Sequence, residues 1–395
     1  MKELQHLNKY FAKYKYHFIF GILITIIAQI FSLVTPKLIG QSFDLIKDFQ
    51  VEEDAEILNI KNELLKNLLL IVGATIVYGI LTFFKRQSLI VMSRYIEFDL
   101  KNEVFRHYEN LSQNFYKKNR TGDLMNRISE DVSKVRMYVG PAVMYSIDTI
   151  VRFTIIISFM WHVSPELTLY TLLPLPLLSI FIYKLSTEIN KRSTVFQQNL
   201  SKLSSLSQEV FTGIRVIKAY SIEDKQKEEF SNLSEESRTK NLSLVSVNAL
   251  FGPLMILLIG LSNLIVIYVG GTMYMNGKIT SFGVIAEFVI YINMLTWPVA
   301  SIGWVSSLIQ EAEASQKRIN EFLKISPEIK NPSLEPFSYN GNIEFKNVSY
   351  TYDDTGIQAL KNISFNLKNG ETLAILGKTG SGKSTILSLL CRLYD

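Results

Sequence analysis

Nine consecutive residues, Gly377, Lys378, Thr379, Gly380, Ser381, Gly382, Lys383, Ser384 and Thr385, contain the eight-position spacing G-x-x-x-x-G-K-[ST], filled by Gly377 to Ser384. Glycines in such a loop let the chain curl until its backbone N–H groups point at one centre, where they hold phosphate oxygens. Lys383 supplies a positive charge to the β- and γ-phosphates, and the Ser384 hydroxyl is the ligand offered to Mg2+. Context strengthens the reading. A strand-like run, Thr372 to Leu376, leads into the loop, and residues 386–393 read as a helix whose positive end adds to the hold on phosphate. An ordinary glycine-rich turn is the plain alternative, and the strand–loop–helix order argues against it.

Other chemistry is excluded early. The single cysteine, Cys391, rules out a disulfide framework and a Cys/His zinc site, and His6, His17, His107 and His162 are too scattered for a metal cluster. Hydrophobic residues make up 48% and charged residues only 19%, with a mean hydropathy of +0.17, which argues against an ordinary soluble enzyme. The 24 Phe and 19 Tyr exclude disorder. A net charge of +5 suits either a nucleic-acid binder or a membrane protein with basic cytoplasmic loops. Hydropathy along the chain decides for the membrane, with no nucleic-acid partner.

Six stretches, residues 17–34, 64–84, 139–161, 167–183, 250–270 and 282–305, approach the length of about 20 residues that crosses a bilayer. Very short links join the third to the fourth and the fifth to the sixth, so both pairs are antiparallel hairpins. Residues 37–66 hold four lysines against seven acids, including the run Glu52-Glu53-Asp54. By contrast, residues 85–136 hold eleven Lys/Arg and residues 184–240 hold ten. The positive-inside rule therefore places both termini and both long connections in the cytoplasm, in a multi-pass protein of the cytoplasmic membrane. A cleaved signal peptide over residues 1–35 is the rival; the apolar run is too long, no A-x-A site follows, and five more spans do.

Residues 85–115 contain no Gly or Pro, with apolar side chains recurring at Leu89, Val91, Tyr95, Phe98, Val104 and Tyr108. The second helix should continue out of the membrane as a stalk, break at residues 119–123, and return from Leu124. The segment after the fourth span should do likewise, broken near Thr212-Gly213. Matched in length, the two hairpins read as docking arms for a domain below the membrane, or as plain solvated helices. Asp148 and Arg152, four residues apart inside the third span, either line a substrate path or pair with each other, and the spacing favours the pair. After residue 325 a proline-punctuated linker with Pro327, Pro332 and Pro336 gives way to residues 342–350, which alternate polar and apolar as a half-buried strand should.

Taken together, these segments resemble the ATP-binding cassette exporters, in which six spans precede a nucleotide-binding domain on one chain. The order of elements is similar throughout. Residues 115–124 (FYKKNRTGDL) resemble the first cytoplasmic coupling region, residues 209–218 (EVFTGIRVIK) the second, and Pro298 and Arg318-Ile319 also fit. The resemblance implies an α-helical polytopic membrane protein, with six transmembrane helices and long cytoplasmic extensions, followed by the start of an α/β P-loop nucleotide-binding domain. Its divisions would be 1–325 for the membrane domain, 326–338 for a linker and 339–395 for the nucleotide segment.

The same resemblance implies ATP and Mg2+ as cofactors, with Tyr352 stacking on adenine; aromatic packing on a strand face is the alternative for that ring. It also implies a second half-transporter as partner, membrane lipid around the spans, and ATP-driven export of a substrate. Gly140-Pro141 and residues 164–168 (SPELT) look most like bacterial multidrug exporters that work as heterodimers. The family's glutamine loop, signature motif, Walker B acids and switch histidine have no counterpart between Thr385 and Asp395. The chain alone is therefore expected not to hydrolyse ATP, and a non-hydrolytic scaffold, a regulatory subunit or an inactive fragment is the alternative role.

Overall fold

The computed structural model describes residues 2–48, 57–330, 338 and 340–395. The acidic run at 52–54 and the linker prolines Pro332 and Pro336 lie outside the described residues. After a 3-10 turn (Glu3–Leu7) come α1 (Asn8–Lys13), α2 (Lys15–Ser32), α3 (Val34–Asp48) and α4 (Ile57–Glu109). Next are α5 (Gln113–Lys118), α6 (Thr121–Asn126), α7 (Val132–Met137), α8 (Val143–Val163), α9 (Pro165–Leu172) and α10 (Pro174–Thr212). Then follow α11 (Ile214–Tyr220), α12 (Glu223–Ala249), α13 (Phe251–Met275) and α14 (Gly283–Leu323). The chain closes with β1 (Ile343–Thr351), β2 (Gln358–Leu367) and α15 (Lys383–Leu390).

Among the described residues five helical runs are long and apolar enough to cross a membrane: Lys15–Lys47, Asn59–Glu109, Thr121–Val163, Glu223–Met275 and Gly283–Leu323. They carry five of the six expected spans. The fourth, 167–183, is helical but divided at Leu173, because Pro174 and Pro176 have no N–H to bond a preceding turn and so favour a fresh start. In α4 the most apolar window has 0% of its residues buried. Side chains such as Leu65, Leu69, Ile76 and Phe83 lie exposed along it, an arrangement that lipid tolerates and water does not. The expected long helix is present, since α4 runs 53 residues, but it ends at Glu109. A turn at 110–112 and the short α5 come before the break expected at 119–123, and α6 begins at Thr121. The buried stripe of α4 is Leu89, Met92, Ile96, Leu100 and Val104, whereas Tyr95 and Phe98 face outward.

The chain forms two compact units. One comprises Tyr14–Met92 and Gly140–Ile309, with a core of Leu33, Ile156, Met160, Leu167, Val266, Phe288, Tyr291 and Leu295 from its spans. Here α3 and α14 approach so closely that a Cβ on Gly283 would lie 2.0 Å from the Gly40 carbonyl oxygen. The Asp44 carboxylate caps α14, accepting the Gly283 N–H at 2.7 Å and the Ser281 hydroxyl.

The other unit comprises Met1–Lys13, Ser93–Val139 and Gln310–Asp395. Glu103 of α4 gathers His6 from the 3-10 turn and Lys9 and Tyr10 from α1. Arg318 of α14 grips the buried Asp131 with two donors, Nε at 3.0 Å from Oδ2 and Nη2 on Oδ1.

β1 and β2 pair antiparallel, with Phe345 opposite Phe365 and Tyr350 opposite Leu360. The register slips between Phe345 and Val348, where Asn347 takes a left-handed φ of 49°, a conformation asparagine tolerates at bulges. Phe345 and Leu360 bury against Ile386 of α15, with Ile343, Ile363, Phe365 and Leu389 around them. Residues 372–376 correct an expectation: they form no strand. A strand exists only through hydrogen bonds to a neighbour, and among the described residues β1 and β2 pair only with each other. Leu376 is accordingly 93% exposed.

Candidate functional site

The loop 377–385 follows the irregular run 372–376 and leads into α15, which begins within it at Lys383, and two of its glycines have left-handed backbone: Gly380 at φ 83° and Gly382 at φ 85°. Gly382 is doubly constrained, because a Cβ there would also lie 2.5 Å from the Ala359 carbonyl oxygen of β2. Ile386 pins α15 onto the sheet, so the curl of the loop is set against β2 from both sides. The amides of Lys383 and Ser384 open α15 and have no carbonyl within the helix to bond.

The Lys383 ammonium folds back on its own loop, donating to the carbonyls of Gly377 at 2.9 Å and Lys378 at 2.7 Å and to Ser381 Oγ at 3.4 Å. All three are neutral acceptors, so its charge is left for an anion. Lys378, Thr379, Ser381 and Ser384 lie on the exposed or half-buried side of the loop, while Thr385 is buried. These features fit a polyphosphate. Mg2+ fits more narrowly: among the described residues no group of three or more His, Cys, Asp or Glu is placed to hold a metal. The Ser384 hydroxyl would be the protein's ligand, the rest coming from phosphate and water, as this ion accepts.

A cavity of about 610 Å3 opens beside the loop, lined by residues 379–385, Tyr352, Asp354, Thr355, residues 357–359 and Lys117. Tyr352, just past β1, shares a hydrogen bond of 3.0 Å with Thr385 Oγ1, so the ring and the phosphate loop meet in one place. Its ring stands edge-on to Tyr350 at 5.0 Å and to Tyr394 at 5.6 Å between centres. Burial pushes the Tyr350 hydroxyl up to about 12.

Sequence reasoning did not single out Lys117. Its ammonium lies 4.2 Å from the centre of the Tyr352 ring and 4.8 Å from that of Tyr394. A hydrogen bond with Tyr394 holds its pKa above the ordinary lysine value. Around it α5 meets the segments that follow α14: Ser112 Oγ, at its N-cap, donates to Glu328 at 2.6 Å, and Asn114 Nδ2 reaches both Glu328 and, just past β1, Asp353 at 3.3 Å. The residues lie far apart in the chain, so no local spacing signals the contact. The quoted segment 115–124 was its only marker.

Comparison with known proteins agrees with this geometry. Residues 18–299 match the family described as ABC transporter transmembrane region, and residues 360–395 match the ABC transporter family. Over its whole length the chain is 30% identical to the "Multidrug resistance-like ATP-binding protein MdlA" of Escherichia coli (strain K12), spanning 66% of that protein. It is also 30% identical to the "Probable multidrug resistance ABC transporter ATP-binding/permease protein YheI" of Bacillus subtilis (strain 168), with 99% of this chain and 66% of that one aligned. An "ATP-dependent lipid A-core flippase" of Syntrophus aciditrophicus (strain SB) is 28% identical over 81% of this chain and 53% of its own length. The chain thus spans about 66% of the length of the first two relatives. With its apolar helices, its glycine-rich loop and these family matches, this multi-pass membrane chain belongs to the ABC transporters.

Proposed function

We propose that the protein is one half of an ATP-driven exporter of the cytoplasmic membrane, with both stalk hairpins and the amino terminus in the cytoplasm. Residues 1–325 would form its membrane domain, 326–338 the linker and 339–395 the opening of the nucleotide domain. The observation that carries the reading is the seat of α5 on the nucleotide segment. Asn114 and Lys117, on the helix that follows the α4 stalk, touch Asp353 and Tyr352 beside the phosphate loop. Movement at the nucleotide would then pass through α5 to α4, which continues as a span.

ATP, when bound, supplies the free energy of phosphoryl transfer. Lys383 leaves the carbonyls of Gly377 and Lys378 for the phosphates, with Gly380, Ser381, Gly382 and the amides of Lys383 and Ser384 around them and Thr379 and Thr385 at the rim. Tyr352 offers its ring face to adenine, and Ser384 its hydroxyl to Mg2+. A second half-transporter is supported by the second coupling segment, where Phe211, Val216 and Tyr220 are exposed apolar side chains ready to be covered. The hairpin likeness noted in the sequence supports a heterodimer. Export of drugs accords with the relatives named for multidrug resistance.

Inverted membrane vesicles carrying the chain fused to the remaining third of a relative such as the Bacillus subtilis protein, together with a second half-transporter, test the proposal. ATP should drive accumulation of a fluorescent lipophilic dye, and Lys383→Ala should abolish it. Accumulation that survives the substitution contradicts the reading.

A further inference from the structure

Three helices bring a second set of charges together at the stalk end of the apolar stretch. Lys85 of α4 donates to Asp148 Oδ1 of α8 at 2.8 Å, and Gln29 Nε2 of α2 donates to the same oxygen at 2.9 Å. Arg152 Nη2 lies 3.7 Å from the other oxygen, so the expected pair within α8 exists but is the looser of the two. The Arg152 guanidinium also donates from Nε to Gln29 Oε1 at 3.1 Å and from Nη2 to the Tyr78 hydroxyl at 3.2 Å.

The charges do not balance. Two cations share one carboxylate, and among the described residues neither bonds a second. Lys85 is 7% exposed, Arg152 15% and Asp148 17%, so the surplus charge is largely withheld from water, which is costly without a counter-ion. A further polar group on α4 is unspent: the Thr82 hydroxyl is buried without a hydrogen-bond partner. Tyr78, Thr82 and Lys85 are four and three residues apart, which puts them on one helical face. Guanidinium is the side chain whose planar fork best matches a phosphate or carboxylate, and its Nη1 makes no hydrogen bond among the described residues. The depth suits an amphiphile's head. Lys85 directly follows the apolar run 64–84, while exposed Ile76, Ile80 and Phe83 offer apolar surface on the same helix.

We propose that Lys85, Arg152 and Thr82 bind the anionic head, a phosphate or carboxylate, of an amphiphile whose tail lies in the bilayer. The source is either a membrane phospholipid or a transported compound with the same head.

Binding to the purified protein in neutral detergent, without nucleotide, tests this independently of any transport activity. Dodecyl phosphate should bind about tenfold more tightly than dodecylphosphocholine, which has the same tail and a neutralised head, as one charge-assisted hydrogen bond suffices for that factor. Arg152→Gln should remove the preference. Asp148→Asn, which raises the surplus charge, should strengthen it, a direction that mere structural damage does not produce. Native mass spectrometry separates the sources. Retained dioleoylphosphatidylglycerol that dodecyl phosphate displaces identifies a bilayer lipid, whereas binding of dodecyl phosphate with no lipid retained identifies a compound in transit; both support the site. Equal affinity for the two probes, or weakening by Asp148→Asn as by Arg152→Gln, overturns it.

Discussion

The ammonium of Lys117 covers the Tyr352 ring at 4.2 Å from its centre, on the surface that the account gives to adenine. Both cannot use that face at once. A nucleotide base that stacks there displaces a side chain of α5, and α5 follows the end of α4 by a few residues. Under the proposed adenine role the contact would couple the nucleotide to α5.

Removing the lysine should therefore ease nucleotide binding while uncoupling it. A cation–π contact of this exposure is worth about 0.5–1 kcal/mol, so Lys117→Ala should tighten binding of a fluorescent ATP analogue roughly two- to fivefold. Transport by the same variant should fall. Weaker nucleotide binding would show instead that Lys117 helps to hold the ligand.

Gly382→Ala should empty the phosphate site. Alanine at φ 85° strains the backbone by about 1–3 kcal/mol, and its Cβ meets the Ala359 carbonyl. The expected result is loss of ATP-dependent thermal stabilisation with the helical circular-dichroism signal unchanged. Retained stabilisation would show that the loop curls without a left-handed residue there.

Arg318→Ala leaves the Asp131 carboxylate, 2% exposed, without its cation. Fully buried pairs lose about 3–5 kcal/mol on such truncation. Arg318 is 47% exposed, so solvent screening lowers the expectation to about 2 kcal/mol. Adding Asp131→Asn should recover part of it in a thermal-unfolding comparison. A double variant no more stable than the single one would place the loss in packing of the arginine stem.

Much of this architecture was legible because it is periodic or punctuated. Apolar runs announced the spans, the absence of Gly and Pro between 85 and 115 announced the stalk, and alternation at 342–350 announced β1. β2 was missed although Ile363, Phe365 and Leu367 alternate with Asn362, Ser364 and Asn366, a period of two that marks a half-buried strand. Thr372 to Leu376 failed for the opposite reason: propensity was present, but a strand is completed by a neighbour. Within the site, the phosphate loop was readable from its own spacing. Lys117 on Tyr352, Lys85 on Asp148 and Asp131 on Arg318 join residues from distant segments, and no local pattern encodes such pairs.

One site, the loop 377–385 with Tyr352, should hold one nucleotide. Equilibrium binding of a fluorescent ATP analogue to the purified protein, with and without Mg2+, tests it most directly. Wild-type protein should bind, and Lys383→Ala should abolish binding. Tyr352→Phe should keep most of the affinity, whereas Tyr352→Ala should lose about tenfold, the scale of one base stacked on an aromatic ring. Lys383→Ala protein that binds as tightly as wild type would contradict the account.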